Sequence, residues 1–166
     1  MGDAPRDAAK CVSERLSRDL ERAQRGKYLT HDEIATVQAA VDLTPAFKGE
    51  RPVPCHRDYC PANWLVSRDG RWAGVFDLEF SGWDVRVADF TRDPDWAWIR
   101  RPDLLEAFFA GYGRPFSPKE KLQLLVGHTE YALGAIIWGR ESRYFGFERE
   151  GHEALARLNR LLRSAR

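Results

Sequence analysis

Apolar residues recur at three- and four-residue steps toward both ends of this chain and run together only in its middle. Ala9, Val12, Leu16 and Leu20 share one stripe, so residues 5–25 are expected to form a helix that stops at Gly26. Cys11 falls on the apolar side of that helix and reads as core. Thr30 and Glu33 have capping-box spacing, and Ile34, Val37, Ala40 and Val41 follow on one face, which predicts a second helix. Pro45, Gly49, Pro52 and Pro54 then break the pattern into a loop. Further on, residues 86–93 and 102–112 have helical spacing. Ser117-Pro118 opens a long helix to about Arg140, striped by Leu122, Leu125, Val126, Thr129, Ala132, Leu133, Ile136 and Ile137. A last helix over about 149–164 is expected to turn Leu155, Leu158, Leu161 and Leu162 inward.

The middle behaves differently. Trp64–Val66 and Trp72–Phe76 are short apolar runs around Asp69-Gly70, a strong hairpin signal. The predicted fold class is therefore mainly α with a small β-hairpin, an α+β chain. With 166 residues and no linker or repeat, it reads as a single domain over 1–166.

Composition narrows the function classes. Lys+Arg total 26 against Asp+Glu 25, a net charge of +1 that does not suit a protein coating a polyanion, so no nucleic acid is expected. No apolar run is long enough to cross a membrane, and the first residues lack the apolar core of a signal peptide. Cys11, Cys55 and Cys60 are few and odd in number, which suits free thiols in a reducing, cytoplasmic setting.

The chemistry concentrates in residues 55–89. His56, Arg57, Asp58 and Asn63 spell H-R-D-x-x-x-x-N, the catalytic-loop pattern of protein kinases. A carboxylate at Asp58 can take the proton of an attacking hydroxyl. Asn63 and Asp77 offer the hard oxygen ligands that Mg²⁺ prefers. The hairpin explains how they meet: Asn63 precedes its first strand, Asp77 ends its second, and antiparallel pairing joins those ends.

With Phe76-Asp77-Leu78-Glu79-Phe80-Ser81-Gly82-Trp83 and Asp89 in Val87-Ala88-Asp89-Phe90, the segment resembles the aminoglycoside phosphotransferase family and its choline kinase relatives. A protein kinase would show Asp-Phe-Gly where this chain has Asp77-Leu78-Glu79. The resemblance implies the large lobe of a protein-kinase-like fold, with the catalytic loop and metal motif over 55–89 and a helical subdomain over 90–166. It implies phosphoryl transfer from ATP or GTP, with Mg²⁺, to a hydroxyl of a small molecule of aminoglycoside or amino-alcohol type. By this carry-over Asp58 is the base, Asn63 and Asp77 are Mg²⁺ ligands, and His56 and Asp89 support the loop. Arg57 stands where the small-molecule branch commonly has glycine, and it is assigned no phosphate contact. Glu79, Asp84 and Trp83 are candidates for orienting ligand or substrate. Acidic and aromatic residues around Asp84, Asp93, Asp95, Trp96 and Trp98 suit a cationic acceptor, but core packing is the default reading of the aromatics, and solvated helix ends explain the acids.

The resemblance reaches the large lobe only. A glycine-rich strand turn, a strand lysine and its glutamate partner are not visible: Gly111-Tyr112-Gly113 lies at a helix end, and Lys10, Lys27, Lys48, Lys119 and Lys121 lie outside strand-like runs. The expectation is a lobe that is weak or inactive alone, with a missing N-terminal lobe, a partner chain or a second copy of itself (a homo-oligomer) as its candidate partners. The competing readings are a non-catalytic binding module and one part of a split two-chain kinase. Cys55, His56, Asp58 and Cys60 form no paired zinc spacing.

Overall fold

The computed structural model describes residues 7–92 and 102–164. Helix α1, Ala8–Gly26, is capped by Asp7, whose carboxylate accepts the Lys10 N–H at 3.1 Å. It buries Ala8, Val12, Leu16, Leu20 and Ala23, one face at three- and four-residue steps. Cys11 lies beside that face and is only half-buried. The helix stops differently from the sequence expectation. Lys27, not Gly26, takes the left-handed conformation, with φ 57°. Gly26 is needed for space, because a Cβ there would come within 2.4 Å of the Tyr28 ring.

Helix α2, His31–Asp42, opens with the full Thr30/Glu33 capping box. Burial works against the Glu33 charge. Hydrogen bonds from Thr30 and His152 outweigh it and hold the carboxyl below its usual pKa. A 3-10 turn over Thr44–Phe47 then seats Phe47, 1% exposed, in the core.

Helices α3, Pro102–Tyr112, α4, Pro118–Glu141, and α5, Phe145–Ser164, complete the helical part. Ser117 and Glu120 form a second capping box, with Pro118 at the first helical position. Leu16, Val37, Leu133, Ile136, Leu155 and Leu158 from α1, α2, α4 and α5 form one core. Leu161 departs from the expected inward face and is 52% exposed, because Leu158 and Leu162 already fill the stripe. Helices α4 and α5 pack closely where glycines replace side chains: Gly139 against the Glu148 backbone, Gly151 against Ala132 and Ile136.

Four short strands sit between α2 and α3. Strands β2, Trp64–Val66, and β3, Trp72–Val75, form the expected hairpin, with Trp64 opposite Val75 and Leu65 opposite Gly74. Its turn needs Gly70, at φ 80°. Strands β1, Val53–Cys55, and β4, Gly82–Asp84, form a second antiparallel pair that local patterning did not predict. Their pairing is non-local, and Pro54 fits because such short strands are edges.

The helix expected over 86–93 is not formed by its described residues, 86–92. Only a 3-10 turn, Arg86–Phe90, is present. Val85 and Val87 are both buried, a two-residue spacing that no α-helix can place on one face. Among the described residues no helix is long and apolar enough to cross a membrane.

The close α4–α5 contact makes a direct prediction. Gly151→Ala, whose Cβ would sit 2.6 Å from the Ala132 carbonyl oxygen, is expected to cost about 1–3 kcal/mol. Gly134→Ala, with nothing within 4 Å, is expected to gain up to about 1 kcal/mol from helix propensity. Urea unfolding midpoints of the two variants check this, and the reverse order would contradict the packing.

Candidate active site

The loop after β1 carries His56, Arg57 and Asp58, and a 3-10 turn, Pro61–Asn63, leads it into β2. Arg57 adopts φ 66°, a left-handed conformation that costs a residue with a Cβ about 1–2 kcal/mol. One carboxylate holds this bend. Asp89 accepts the His56 N–H at 3.2 Å on one oxygen and the Arg57 N–H at 2.7 Å on the other. Without it, two peptide donors in the bend would lose their partner.

His56 is buried and braces the loop from the other side. Its Nε2 lies 2.8 Å from the Phe76 carbonyl oxygen, and its Nδ1 lies 3.3 Å from the Asp58 nitrogen. A neutral ring with its proton on Nε2 satisfies both contacts. The loop is thereby tied to the end of β3, next to Asp77.

Asp58 is 7% exposed and Asn63 is 7% exposed. The Asn63 amide nitrogen donates to the Asp58 carbonyl and to the Asp58 carboxylate, both at 2.9 Å. The Asn63 amide oxygen is therefore the atom left to face a cation. The Phe76 N–H donates to the Asn63 carbonyl at 3.1 Å, so the hairpin places Asp77 one residue from Asn63's partner. Asp77 takes φ 64° and is exposed. No hydrogen bond or ion pair among the described residues engages its carboxylate. An amide oxygen with a free carboxylate fits a hard ion such as Mg²⁺, which commonly takes few protein ligands. Glu79 is exposed on the next turn, Leu78–Phe80.

Asp84 is drawn into an ion network. It is 6% exposed and lies between two guanidinium groups: Arg57 Nε at 3.2 Å and Arg15 Nη1 at 3.2 Å. Arg15 in turn pairs with Glu130 of α4. Burial disfavours the Arg15 charge, but Glu130 and Asp84 outweigh it and raise its pKa. Asp84 thus ties the loop to α1 and, through Arg15, to α4. A cavity of about 200 Å³ beside this network is lined by Val12, Arg15, Arg57, Asp84, Glu130 and Tyr131, among others. Trp83 is half-buried on β4 opposite Pro54.

Two features escaped sequence reasoning. Arg92 forms an ion pair with Asp58. Its sequence signal was slight, a basic residue three positions after Asp89. Tyr59, Trp64 and Trp72 form a ring cluster beside His56. By contrast, Phe90 packs on Phe108, Tyr112 and Phe116. Trp138, Tyr144 and Phe147 contact one another at the α4–α5 turn. Asp93, Asp95, Trp96 and Trp98 lie outside the described residues. The Cys55 thiol lies 3.4 Å from the Val85 carbonyl, and burial with the nearby Asp89 and Asp84 charges pushes its pKa up to about 12. It is therefore not a thiolate at neutral pH. Among the described residues no three of His, Cys, Asp and Glu gather as a metal cluster.

The sequence model of a family described as "Phosphotransferase enzyme family" (APH) matches residues 2–125. No curated protein matches the chain. A solved structure described as "Structure of the gentamicin-APH(2″)-IIa complex" superposes with a TM-score of 0.59 at 16% sequence identity, covering 93% of this chain and 52% of that one. The likeness is one of fold, and the chain spans about half the length of that neighbour.

The ion network carries the second prediction. Asp84→Asn leaves Arg15 and Arg57 without their shared anion and is expected to cost about 2 kcal/mol, less than a fully buried pair because both arginines reach solvent. Arg57→Gly relieves the left-handed strain and is expected to stay within about 1 kcal/mol of wild type. Equal losses in urea unfolding would contradict this account of the network.

Proposed function

This chain belongs to the phosphotransferase enzyme family, APH, and on that premise we propose that the cleft at Asp58 transfers the γ-phosphoryl group of ATP or GTP to a hydroxyl of a small molecule. Asp58 accepts the hydroxyl proton as the acceptor oxygen attacks phosphorus. The bond from phosphorus to the bridging oxygen breaks, and the nucleoside diphosphate leaves. Asn63, through its amide oxygen, and Asp77 would hold Mg²⁺, which supplies positive charge against the phosphates. His56 and Asp89 keep the loop in place, and Glu79 orients the ligand side of the metal motif. The single observation that supports this reading most is the Asn63 amide. Its nitrogen is spent on Asp58, so one side chain links the base to the metal position.

The acceptor in this reading is aminoglycoside- or amino-alcohol-like. The solved neighbour is a gentamicin complex, and that lends support at the level of the fold. The site works in the cytoplasm, where nucleotide is present and thiols such as Cys11, Cys55 and Cys60 stay free. Residues 1–166 act as a single domain of large-lobe type. Turnover is weak in this domain alone, because among the described residues no lysine lies on a strand to take the place of the small-lobe lysine.

A second reading, a binding module or one part of a two-chain kinase, is favoured by the apolar surface of the hairpin region. Leu65, Val66, Trp72, Leu78 and Phe80 are each 47–58% exposed, apolar side chains of the kind that a partner surface covers.

Calorimetric titration with Mg²⁺–ATP and Mg²⁺–GTP tests the first reading. Binding is expected to need Mg²⁺ and to weaken about tenfold or more in Asp77→Asn, the loss of one charged contact. Binding that ignores both Mg²⁺ and Asp77 would overturn it.

A further inference from the structure

Arg92 has no part in the roles assigned so far, yet it occupies the most consequential position in the cleft. Its guanidinium pairs with Asp58 Oδ1, while Asp58 Oδ2 accepts from Asn63 at 2.9 Å. Both oxygens of the proposed base are therefore engaged. The Arg92 side chain is 31% exposed, so it is not sealed in the interior. A guanidinium carries five N–H donors in a planar fork, and one ion pair leaves most of them free.

The backbone that delivers Arg92 is built in. Thr91 lies against Gly127 of α4, where a Cβ would come within 2.4 Å of the Thr91 methyl group. The His128 ring nitrogen Nδ1 lies 3.1 Å from the Thr91 carbonyl oxygen. The Thr91 hydroxyl donates to the Ala88 carbonyl at 2.9 Å. Three contacts thus hold the residue before Arg92, two of them to α4. Arg57, the other arginine near the loop, points away to Asp84, with Nε–Oδ2 3.2 Å.

Geometry then limits what can lie beside Arg92. A hydroxyl that gives its proton to Asp58 must sit about 2.6–3.2 Å from that carboxylate. Its oxygen must also sit about 3–3.5 Å from the phosphorus it attacks. A guanidinium on the same carboxylate, with further donors in its fork, can reach the phosphoryl oxygens from there. Resting on the phosphotransferase reading above, we infer that Arg92 is a catalytic residue that binds the transferring γ-phosphoryl group and, until that group arrives, covers Asp58.

In this scheme the triphosphate draws the Arg92 donors onto the γ-phosphoryl oxygens and frees Asp58 Oδ1. The acceptor O–H bond breaks and its proton passes to Asp58. The acceptor oxygen forms its bond to phosphorus. The phosphorus–bridging-oxygen bond breaks, and its electron pair leaves with the nucleoside diphosphate. Arg92 keeps its protons and offsets the charge spread over the equatorial oxygens.

The test compares Mg²⁺–ATP with Mg²⁺–ADP on the full chain, by calorimetry, for wild type, Arg92→Ala, Arg92→Lys and Asp77→Asn. Each variant is first shown to be folded by its thermal transition. Wild type is expected to prefer ATP about tenfold or more, the worth of one charge-assisted contact to the γ-phosphoryl group. Arg92→Ala is expected to erase that preference and leave ADP affinity within about twofold, and Arg92→Lys to keep part of it as a point charge. An unchanged ATP-to-ADP ratio in Arg92→Ala would overturn the inference and leave the phosphotransferase reading standing. Equal loss of ATP and ADP in Arg92→Ala would reduce Arg92 to a structural prop and also overturn it. Failure of the folded wild type to bind either nucleotide, matching Asp77→Asn, would overturn the reading of the site together with the inference.

Discussion

The Asp89 carboxylate is the constraint on which the site depends. A chain that turns through a left-handed residue at Arg57 cannot satisfy its peptide N–H groups within a helix or strand. Asp89 accepts two of them, from His56 and Arg57. A charged acceptor holds such donors about twice as firmly as a neutral one. Asp58 projects from this bend, so the direction of the proposed base is set by a residue more than thirty positions later in the chain.

From that anchor the loop is held on three sides. His56 ties the loop to the end of β3 through the Phe76 carbonyl. Asn63 ties Asp58 to the start of β2. Arg57 ties the outside of the bend to Asp84, and through it to Arg15 and Glu130 on α1 and α4. Burying charges is costly unless they are paired. The alternation Arg57, Asp84, Arg15, Glu130 meets that condition and couples the loop to the helical core. The cost of the left-handed Arg57 is offset by this pairing, which a glycine there would not make.

The helical part serves the site in two ways. Its core, around Leu16, Val37, Leu133 and Leu155, gives α1 and α4 fixed positions from which Arg15 and Glu130 reach the network. The same helix α4 carries Gly127 and His128, which receive Thr91 and so place Arg92 on Asp58. The hairpin is held mainly by its own ladder and the Tyr59, Trp64 and Trp72 rings, and it leaves its apolar residues toward solvent.

Local signals in the chain were enough for the five α-helices of the described residues and for the hairpin. The Thr30/Glu33 and Ser117/Glu120 capping boxes, the stripe from Val12 to Leu20 and Asp69-Gly70 act within a few residues, where side-chain spacing alone decides the outcome. The family likeness and the spacing of Asp58, Asn63, Asp77 and Asp89 were legible for the same reason. The fold decided what depends on distant partners. The β1–β4 pairing joins segments far apart in sequence, and the two-residue burial of Val85 and Val87 replaced an expected helix with a short turn. Asp84 meets Arg15 from the first helix, a partner that its own stretch of sequence does not show. Arg92 met Asp58 because Thr91 docks on α4. A charge has the same sequence signature whether it faces solvent or an ion-pair partner, and only the packing of remote elements determines which it meets.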